Sequence, residues 1–266
     1  MIKIFFFGDV VAKIGRRAVK KIIPEIRKKY RPDLIMANAE NIAHGIGTTP
    51  KTLNELTEAG VDFFTNGNHI WKKEPVKEIL ETADSVMIRP ANYPANRPGR
   101  GEKIIEISQK KLLVINLLGR VFMEDQSVNN PFKTADQILE KYADENLAGI
   151  IIDFHAEATS EKNAFGRYLD GKVSAILGTH THIQSADEKI LPGGAAYITD
   201  VGMTGAENSI IGVKTETVIN NFVNEVQDYF DYDETGPAVV NGVYLEIDSK
   251  TKKAVTIKRF QKKIII

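Results

Sequence analysis

The chain has 266 residues and balances 35 Lys and Arg against 35 Asp and Glu, so no global field draws it to nucleic acid or to a charged membrane surface. It contains no cysteine, which excludes disulfides and thiolate metal sites and leaves His, Asp, Glu and Asn to hold any metal ion. Apolar content of 42% and charged content of 26% are ordinary for a soluble globular protein with one larger α/β domain or at most two small ones.

The opening run "MIKIFFFGDV" has no basic region before it and no small-residue cleavage site after it. It predicts a buried first strand over 2–8, not a signal peptide. Residues 16–30 have helical spacing, with Ala18, Ile22 and Ile26 on one face and a perturbation expected at Pro24. A strand at 33–38, a helix at 50–60 and a strand at 61–68 follow. Continuous apolar strands alternating with helices imply a parallel sheet covered on both faces. Residues 85–101 are dense in Pro, Asn and Gly and predict a long ordered loop or one with functional contacts. Two apolar runs around "SQKK" predict a hairpin over 103–119. A helix at 131–142 and strands at 147–158, 172–182 and 195–203 come next, and a closing antiparallel hairpin turns around "DSKTKK". There is no repeat and no linker, so one domain over 1–266 is expected. No apolar run approaches the roughly 20 residues of a membrane span, and the expected location is the cytoplasm.

In an open α/β sheet, ligands bind at the carboxyl ends of the strands. Those ends carry Asp9 in "GD", Glu40 and Asn41 in "NAEN", Asn68 and His69 in "GNH", His155 in "DFH", and His180 and His182 in "GTHTH". Four of the five histidines fall in this set, and the fifth, His44, is four residues past Glu40. Each motif alone has an ordinary reading as a turn, a helix cap or a satisfied core histidine. "HTH" is different, because side chains at i and i+2 of an extended segment point the same way. The recurrence of such residues at successive strand ends points to a metal site. Without thiolates the donor set suits Fe, Mn, Zn or Mg. A central carboxylate can bridge two ions about 3.5–4 Å apart, which clamp the oxygens of an in-line displacement at phosphorus. A histidine off the metals can protonate the leaving oxygen.

The ordered series "GD", "NAEN", "GNH", "DFHAEATSEK" and "GTHTHIQ", from position 8 to 182, resembles the calcineurin-like metallophosphoesterase superfamily. Two departures are plain. The first motif, "GDVV", lacks the His of Asp-x-His, and "NAEN" stands where most members have Gly-Asp-x-x-Asp. Both departures are similar to those of a bacterial branch of 2′,3′-cyclic-nucleotide 2′-phosphodiesterases, as is "TDVGMTGAENSIIG". The resemblance implies a four-layer α/β/β/α sandwich of two mixed β-sheets flanked by helices. It implies one metal ion on Asp9, Glu40, Asn41 and His182 and a second on Glu40, Asn68, His155 and His180, with Glu40 bridging and His69 as general acid. It also implies iron, with manganese as the working alternative and zinc or magnesium behind them.

The reaction implied is hydrolysis of a phosphoester, with a small nucleotide or other phosphodiester as partner. Rival readings are a phosphatase or phosphodiesterase with another substrate, and a metal-binding regulatory protein with incidental turnover. His44, Arg89, Asn92 and Arg100 are candidate substrate contacts, the arginines because guanidinium binds phosphate bidentately. Their ordinary reading is a surface loop residue for His44 and a Pro-stiffened connector for the others. Glu157, Thr159 and Ser160 follow His155 and are candidates to support it. No membrane partner and no bulk nucleic-acid binding are expected, and a homo-oligomer is compatible with all of this.

Overall fold

The alternation of the first strand sets the architecture. In β1 (Ile2–Val10), Ile2, Ile4 and Phe6 enter one apolar cluster while Phe5 and Phe7 enter another. A strand apolar on both faces needs cover on both faces. The computed structural model describes residues 1–124 and 127–266. From β1 the chain runs through α1 (Ala12–Tyr30), β2 (Leu34–Asn38), α2 (Pro50–Ala59), β3 (Phe63–Thr65), a 3-10 turn at Asn68–Lys72 and α3 (Val76–Glu81). It continues through β4 (Glu102–Ile107), β5 (Lys110–Leu118), α4 (Pro131–Lys141), β6 (Leu147–His155), α5 (Thr159–Leu169), β7 (Ala175–Thr179), β8 (Lys189–Ile190) and β9 (Ala196–Ile198). The last part holds β10 (Met203–Ala206), β11 (Ser209–Ile210), β12 (Val213–Lys214), α6 (Thr215–Asn224), β13 (Pro237–Ile247) and β14 (Ala254–Ile265).

Twelve of these strands form two six-stranded mixed sheets, ordered β14-β13-β10-β1-β2-β3 and β4-β5-β6-β7-β9-β8, while β11 and β12 pair with each other. Their inner faces cover each other: Ile4, Phe6, Met36 and Leu245 share a cluster with Val114, Ile151, Leu177 and Ile198. Outside the first sheet, Phe5 and Phe7 pack on Ile14, Ile22, Ile26 and Leu56 of the helices. Outside the second, Ile115 and Phe154 pack on Ile138, Phe165 and Leu169. This is the α/β/β/α sandwich that the resemblance implied. The expectation of one parallel sheet with helices on both faces is corrected, because each sheet is covered by helices on one face and by the other sheet on its second.

Other differences have local causes. α1 begins at Ala12 and passes through Pro24 without a break. Pro24 faces solvent while Ile22, Ile23 and Ile26 are buried, so apolar packing outweighs a penalty of about 3 kcal/mol. The single strand expected over 195–203 is two strands in different sheets, β9 and β10, with the chain crossing between sheets at 199–202. The strands expected to run to 68, 158 and 182 stop at Thr65, His155 and Thr179. At Thr65 and Thr179 the ladder ends before the polar motif, so Asn68, His69, His180 and His182 are presented from turns beyond the sheets, whereas His155 is the last ladder residue of β6.

Candidate metal centre

Three strand ends in the first sheet and two in the second converge. Asp9, Glu40, Asn41 and His155 are buried, while Asn68, His69, His180 and His182 are half-buried around them. Glu40 lies at the middle. Its Oε1 is 3.3 Å from His155 Nε2, 3.3 Å from His69 Nδ1, and accepts from Asn41 Nδ2 at 3.2 Å. Its Oε2 accepts from the His69 backbone N–H at 3.0 Å. His155 Nε2 is also 3.2 Å from Asn68 Oδ1 and 3.0 Å from His180 Nδ1. On the other side, His182 Nε2 is 3.2 Å from Asn41 Nδ2 and 3.9 Å from Asp9 Oδ1.

The surroundings orient all three of His155, His180 and His182. The Thr179 hydroxyl donates to Asp153 Oδ1 at 2.7 Å, so it accepts from His155 Nδ1 at 2.9 Å. His180 Nε2 lies 3.1 Å from Glu157 Oε2. His182 Nδ1 donates to the Ile211 carbonyl at 2.8 Å. With its outward nitrogen held, each ring turns its other nitrogen to the cluster, the usual arrangement behind metal-bound imidazoles. Asp9 Oδ1 is fully buried and has no hydrogen-bond partner among the described residues. Ligand atoms of Glu40, His155 and His180 all lie within 4.8 Å of one another. A buried orphan carboxylate oxygen beside three oriented imidazoles fits a cation. The Asn41 amide turns Nδ2 toward Glu40 and His182 and Oδ1 toward His69, so ligation through Oδ1 needs the amide turned over.

Electrostatics follow from burial and crowding. Burial disfavours ionised Glu40, but His155 and His69 outweigh it and hold the carboxyl well below the usual range. Burial pushes Asp9 up, against the pull of His182 and His155. Burial alone would push His155 down, but Glu40, Asp9 and Asp153 raise it to about 9. Burial, and then the adjacent His155, push His180 down to about 3.

The two His of "HTH" do not work as an extended pair. Both leave β7 with left-handed backbones, φ 107° at His180 and 66° at His182. They diverge, His180 to the His155 side and His182 to the Asp9 and Asn41 side. That strained turn is braced from below. Lys162 is buried, and its Nζ donates to the Thr179 carbonyl at 2.8 Å and to Asp200 Oδ2 at 2.7 Å. Asp200 Oδ2 also accepts from the Thr181 N–H at 3.0 Å. Asp153 similarly gathers Thr65, Thr179 and Asn38 behind His155. Gly67 completes the frame, because a Cβ there would meet His155 Nε2 at 2.2 Å and Glu40 Oε2 at 2.3 Å. Sequence reading missed these supports. Asp153 stands inside the quoted "DFH", but nothing in a helical pattern marks Lys162 as buried.

Glu157 lies against His180 and not against His155, the histidine it follows in sequence. Thr159 and Ser160 instead open α5, away from the cluster's hydrogen bonds. Glu157→Ala is expected to weaken metal binding about 10–100-fold with the fold intact, since the side chain is 46% exposed. Metal-chelator competition measures this, and unchanged affinity would remove Glu157 from the support.

The four candidate substrate contacts need correction. Arg89 is buried, and its guanidinium donates to the carbonyls of Pro90, Pro98 and Arg97 at 2.7, 3.0 and 3.3 Å. Asn92 is buried, exchanging bonds with the Leu118 backbone and donating to the Asn129 carbonyl. Both therefore hold the 85–101 loop closed on itself and on the sheet. Arg100 is exposed and lines a separate cleft against α4. His44 is exposed and lines a shallow depression beside Tyr232. None reaches the cluster. The loop's contribution is indirect: Tyr93 packs edge-to-face on Trp71 and Arg97 lies over it, behind the turn that carries His69.

A cavity of about 650 Å³ opens onto the cluster. Glu40, Asn41, His69, His180 and His182 form one side, and Ile211, Phe222, Phe230 and Tyr232 form part of the other.

The sandwich and the donor set at its strand ends define the class: this is a calcineurin-like metallophosphoesterase fold with a site suited to metal ions. The profile of the family described as YmdB-like protein matches residues 5–260, and the chain belongs to that family. It is 46% identical over 259 residues to the 2′,3′-cyclic-nucleotide 2′-phosphodiesterase of Bacillus subtilis (strain 168), covering 97% of this chain and 96% of that relative. A solved structure described as a novel phosphatase of Mycoplasma pneumoniae superposes with a TM-score of 0.92 at 38% identity, over 98% of this chain and 93% of that one. A hypothetical protein from Thermus thermophilus superposes with a TM-score of 0.91 at 39% identity, over 98% and 99%.

Proposed function

We propose that the chain is a dinuclear metal-dependent phosphodiesterase that opens 2′,3′-cyclic nucleotides to 3′-nucleotides. The observation that carries this is the buried, unpartnered Asp9 Oδ1 beside three imidazoles, two held through their outward nitrogens and the third with its outward nitrogen 3.1 Å from Glu157. The substrate follows the name of the Bacillus subtilis relative. In this reading Asp9, Asn41 and His182 would hold one ion together with Glu40, and Asn68, His155 and His180 would hold the other. Iron is the proposed native metal, with manganese able to replace it. Bound metals supply Lewis-acid stabilisation at phosphorus and an activated nucleophile.

The protein's own groups do the rest. His69 Nδ1 pairs with the Asn41 amide at 2.8 Å, which fixes the ring on the cavity rim; with that amide turned over for ligation its Nδ2 would donate to Nδ1, leaving the proton on Nε2 for the leaving oxygen. A protonated Nε2 gives its proton to the ribose 2′-oxygen as the P–O2′ bond breaks. The Thr179 and Asp153 pair keeps His155 in one orientation. The reaction is carried by one domain, in the cytoplasm; among the described residues no helix is long and apolar enough to cross a membrane.

The test is hydrolysis of 2′,3′-cyclic AMP by protein reconstituted with Mn²⁺, with the product isomer identified. Metal-dependent release of 3′-AMP is expected. Activity on another phosphodiester but none on this one overturns the substrate. Silence on both overturns the enzyme reading and favours a metal-binding regulator.

A further inference from the structure

The metal cluster accounts for one side of its cavity only. The opposite side is built from the segment 210–232, and its chemistry is of another kind. Ile210, Ile211, Val218, Phe222, Phe230 and Tyr232 line it. Much of this surface is not needed by the fold. α6 buries only Val218, while Phe222 is 81% exposed and Phe230 61% exposed. Large aromatic side chains left open beside a polar site mark a surface that something else covers.

The wall is held in register with the metal centre. The Ile211 carbonyl receives the Nδ1 proton of His182, so the same bond orients a metal ligand and fixes the wall. Tyr232 packs against Val11, Ala12, Met203 and Val239, and its ring closes over Gly45, where a Cβ would come within 2.3 Å. Among the described residues no Lys or Arg lines the cavity. Negative charge is therefore met only at the metal side. A second phosphate, or a polyphosphate tail, would face apolar carbon with no cation to pair it.

We infer that Phe222, Phe230 and Tyr232 form a stacking wall that selects substrates in which one phosphoester is joined to a planar, uncharged ring system. Here that ring is the base of the cyclic nucleotide, so this deepens the phosphodiesterase reading and rests on it. The phosphate seats against the ligand side, and the base lies on the aromatic side of the same cavity. Stacking on aromatic side chains tolerates any base, because every base has a π-face. The wall therefore sets a preference for nucleotides over base-free sugar phosphates with little discrimination among bases.

The double variant Phe222→Ala/Phe230→Ala removes two exposed side chains, and the fold is expected to survive. kcat/KM is measured for 2′,3′-cyclic AMP and for ribose 2,3-cyclic phosphate, the same ester without a base. The wild type is expected to prefer the nucleotide, and the double variant to lose about tenfold to hundredfold of that preference. Tyr229→Ala, an equally apolar change at a 99% exposed neighbour outside the cavity, should leave the preference as it is. An undiminished preference in the double variant overturns the wall. So does an undiminished preference accompanied by a change of oligomeric state on gel filtration, which makes the aromatic face a subunit contact.

If the wild type hydrolyses neither ester, the substrate reading fails and binding decides the wall separately. Calorimetric titration of the Mn²⁺-loaded protein with adenosine 3′-monophosphate and with ribose 3-phosphate needs no turnover. A preference for the nucleotide that the double variant loses supports the wall. Equal affinity of the wild type for both overturns it.

Discussion

Purified Glu40→Ala is expected to carry almost no tightly bound metal and to turn over at least about a thousandfold more slowly than the parent. The size follows from position. A metal clamp supplies several kcal/mol of charge stabilisation at phosphorus, and each 1.4 kcal/mol is tenfold in rate. Glu40 touches both halves of the cluster, Asn41 at 3.2 Å and His155 at 3.3 Å through the same side-chain oxygen. Without it each half-site keeps neutral amides and imidazoles, and only Asp9 remains as an anion. Two dications held by one carboxylate repel each other with too little negative charge between them. The fold should persist, because the side chain stands beyond the end of β2 and belongs to none of the apolar clusters. Metal content per chain by elemental analysis, beside circular dichroism, separates the two effects. Two ions retained in folded Glu40→Ala would take the bridging role away. Glu40→Gln, which keeps the shape and loses the charge, should follow the alanine variant closely if charge is the cause.

The way the sequence reveals and hides this site has physical reasons. Strand ends are legible because a buried strand is a short apolar run, and its first polar residue is where the backbone leaves the ladder. That is how Asp9, Glu40, Asn68, His155 and His180 stand out together. Their supports are not legible. Lys162 and Asp200 lie 38 residues apart and become a buried ion pair only when α5 packs beneath the β7 turn. No periodicity distinguishes such a lysine from a solvated one. The crossing at 199–202 is hidden for a related reason. "AAYITDVGM" is apolar almost throughout, and only Asp200, bonded to the Thr181 and Gly202 amides, shows that the chain turns there. Arg89 and Asn92 mislead because Arg and Asn in a Pro-rich loop serve phosphate binding and carbonyl capping equally well. Burial decides between them, and burial is a tertiary property. The segment 207–232 gives no signal of a cavity wall, because Phe222 on α6 and Phe230 after it are exposed aromatics that fit no core pattern.

His69→Ala is expected to keep both metals and to lose about 10²–10⁴ in kcat toward the cyclic nucleotide, the usual contribution of a positioned proton donor. Its connections to the cluster explain the split. The bond from His69 to Glu40 Oε2 comes from the backbone N–H, at 3.0 Å, and survives truncation of the ring. The ring's own contacts run from Nδ1 to Asn41 Oδ1 at 2.8 Å and to Glu40 Oε1 at 3.3 Å, and the alanine variant loses both. Metal retention therefore tests whether Asn41 stays in place without its neighbour. The rate tests the proton. A 2′-alkoxide is a poor leaving group and needs protonation as it departs, whereas p-nitrophenolate does not. With a p-nitrophenyl phosphodiester the variant should be far less impaired than with the cyclic nucleotide. Equal losses on the two substrates, with metal content intact, would mean that His69 shapes the cavity and moves no proton. Equal losses with metal depleted would assign it to the support of Asn41. Only a selective loss on the substrate with the poor leaving group assigns His69 the proton, because no change in metal charge or cavity shape distinguishes the two esters by leaving-group basicity alone.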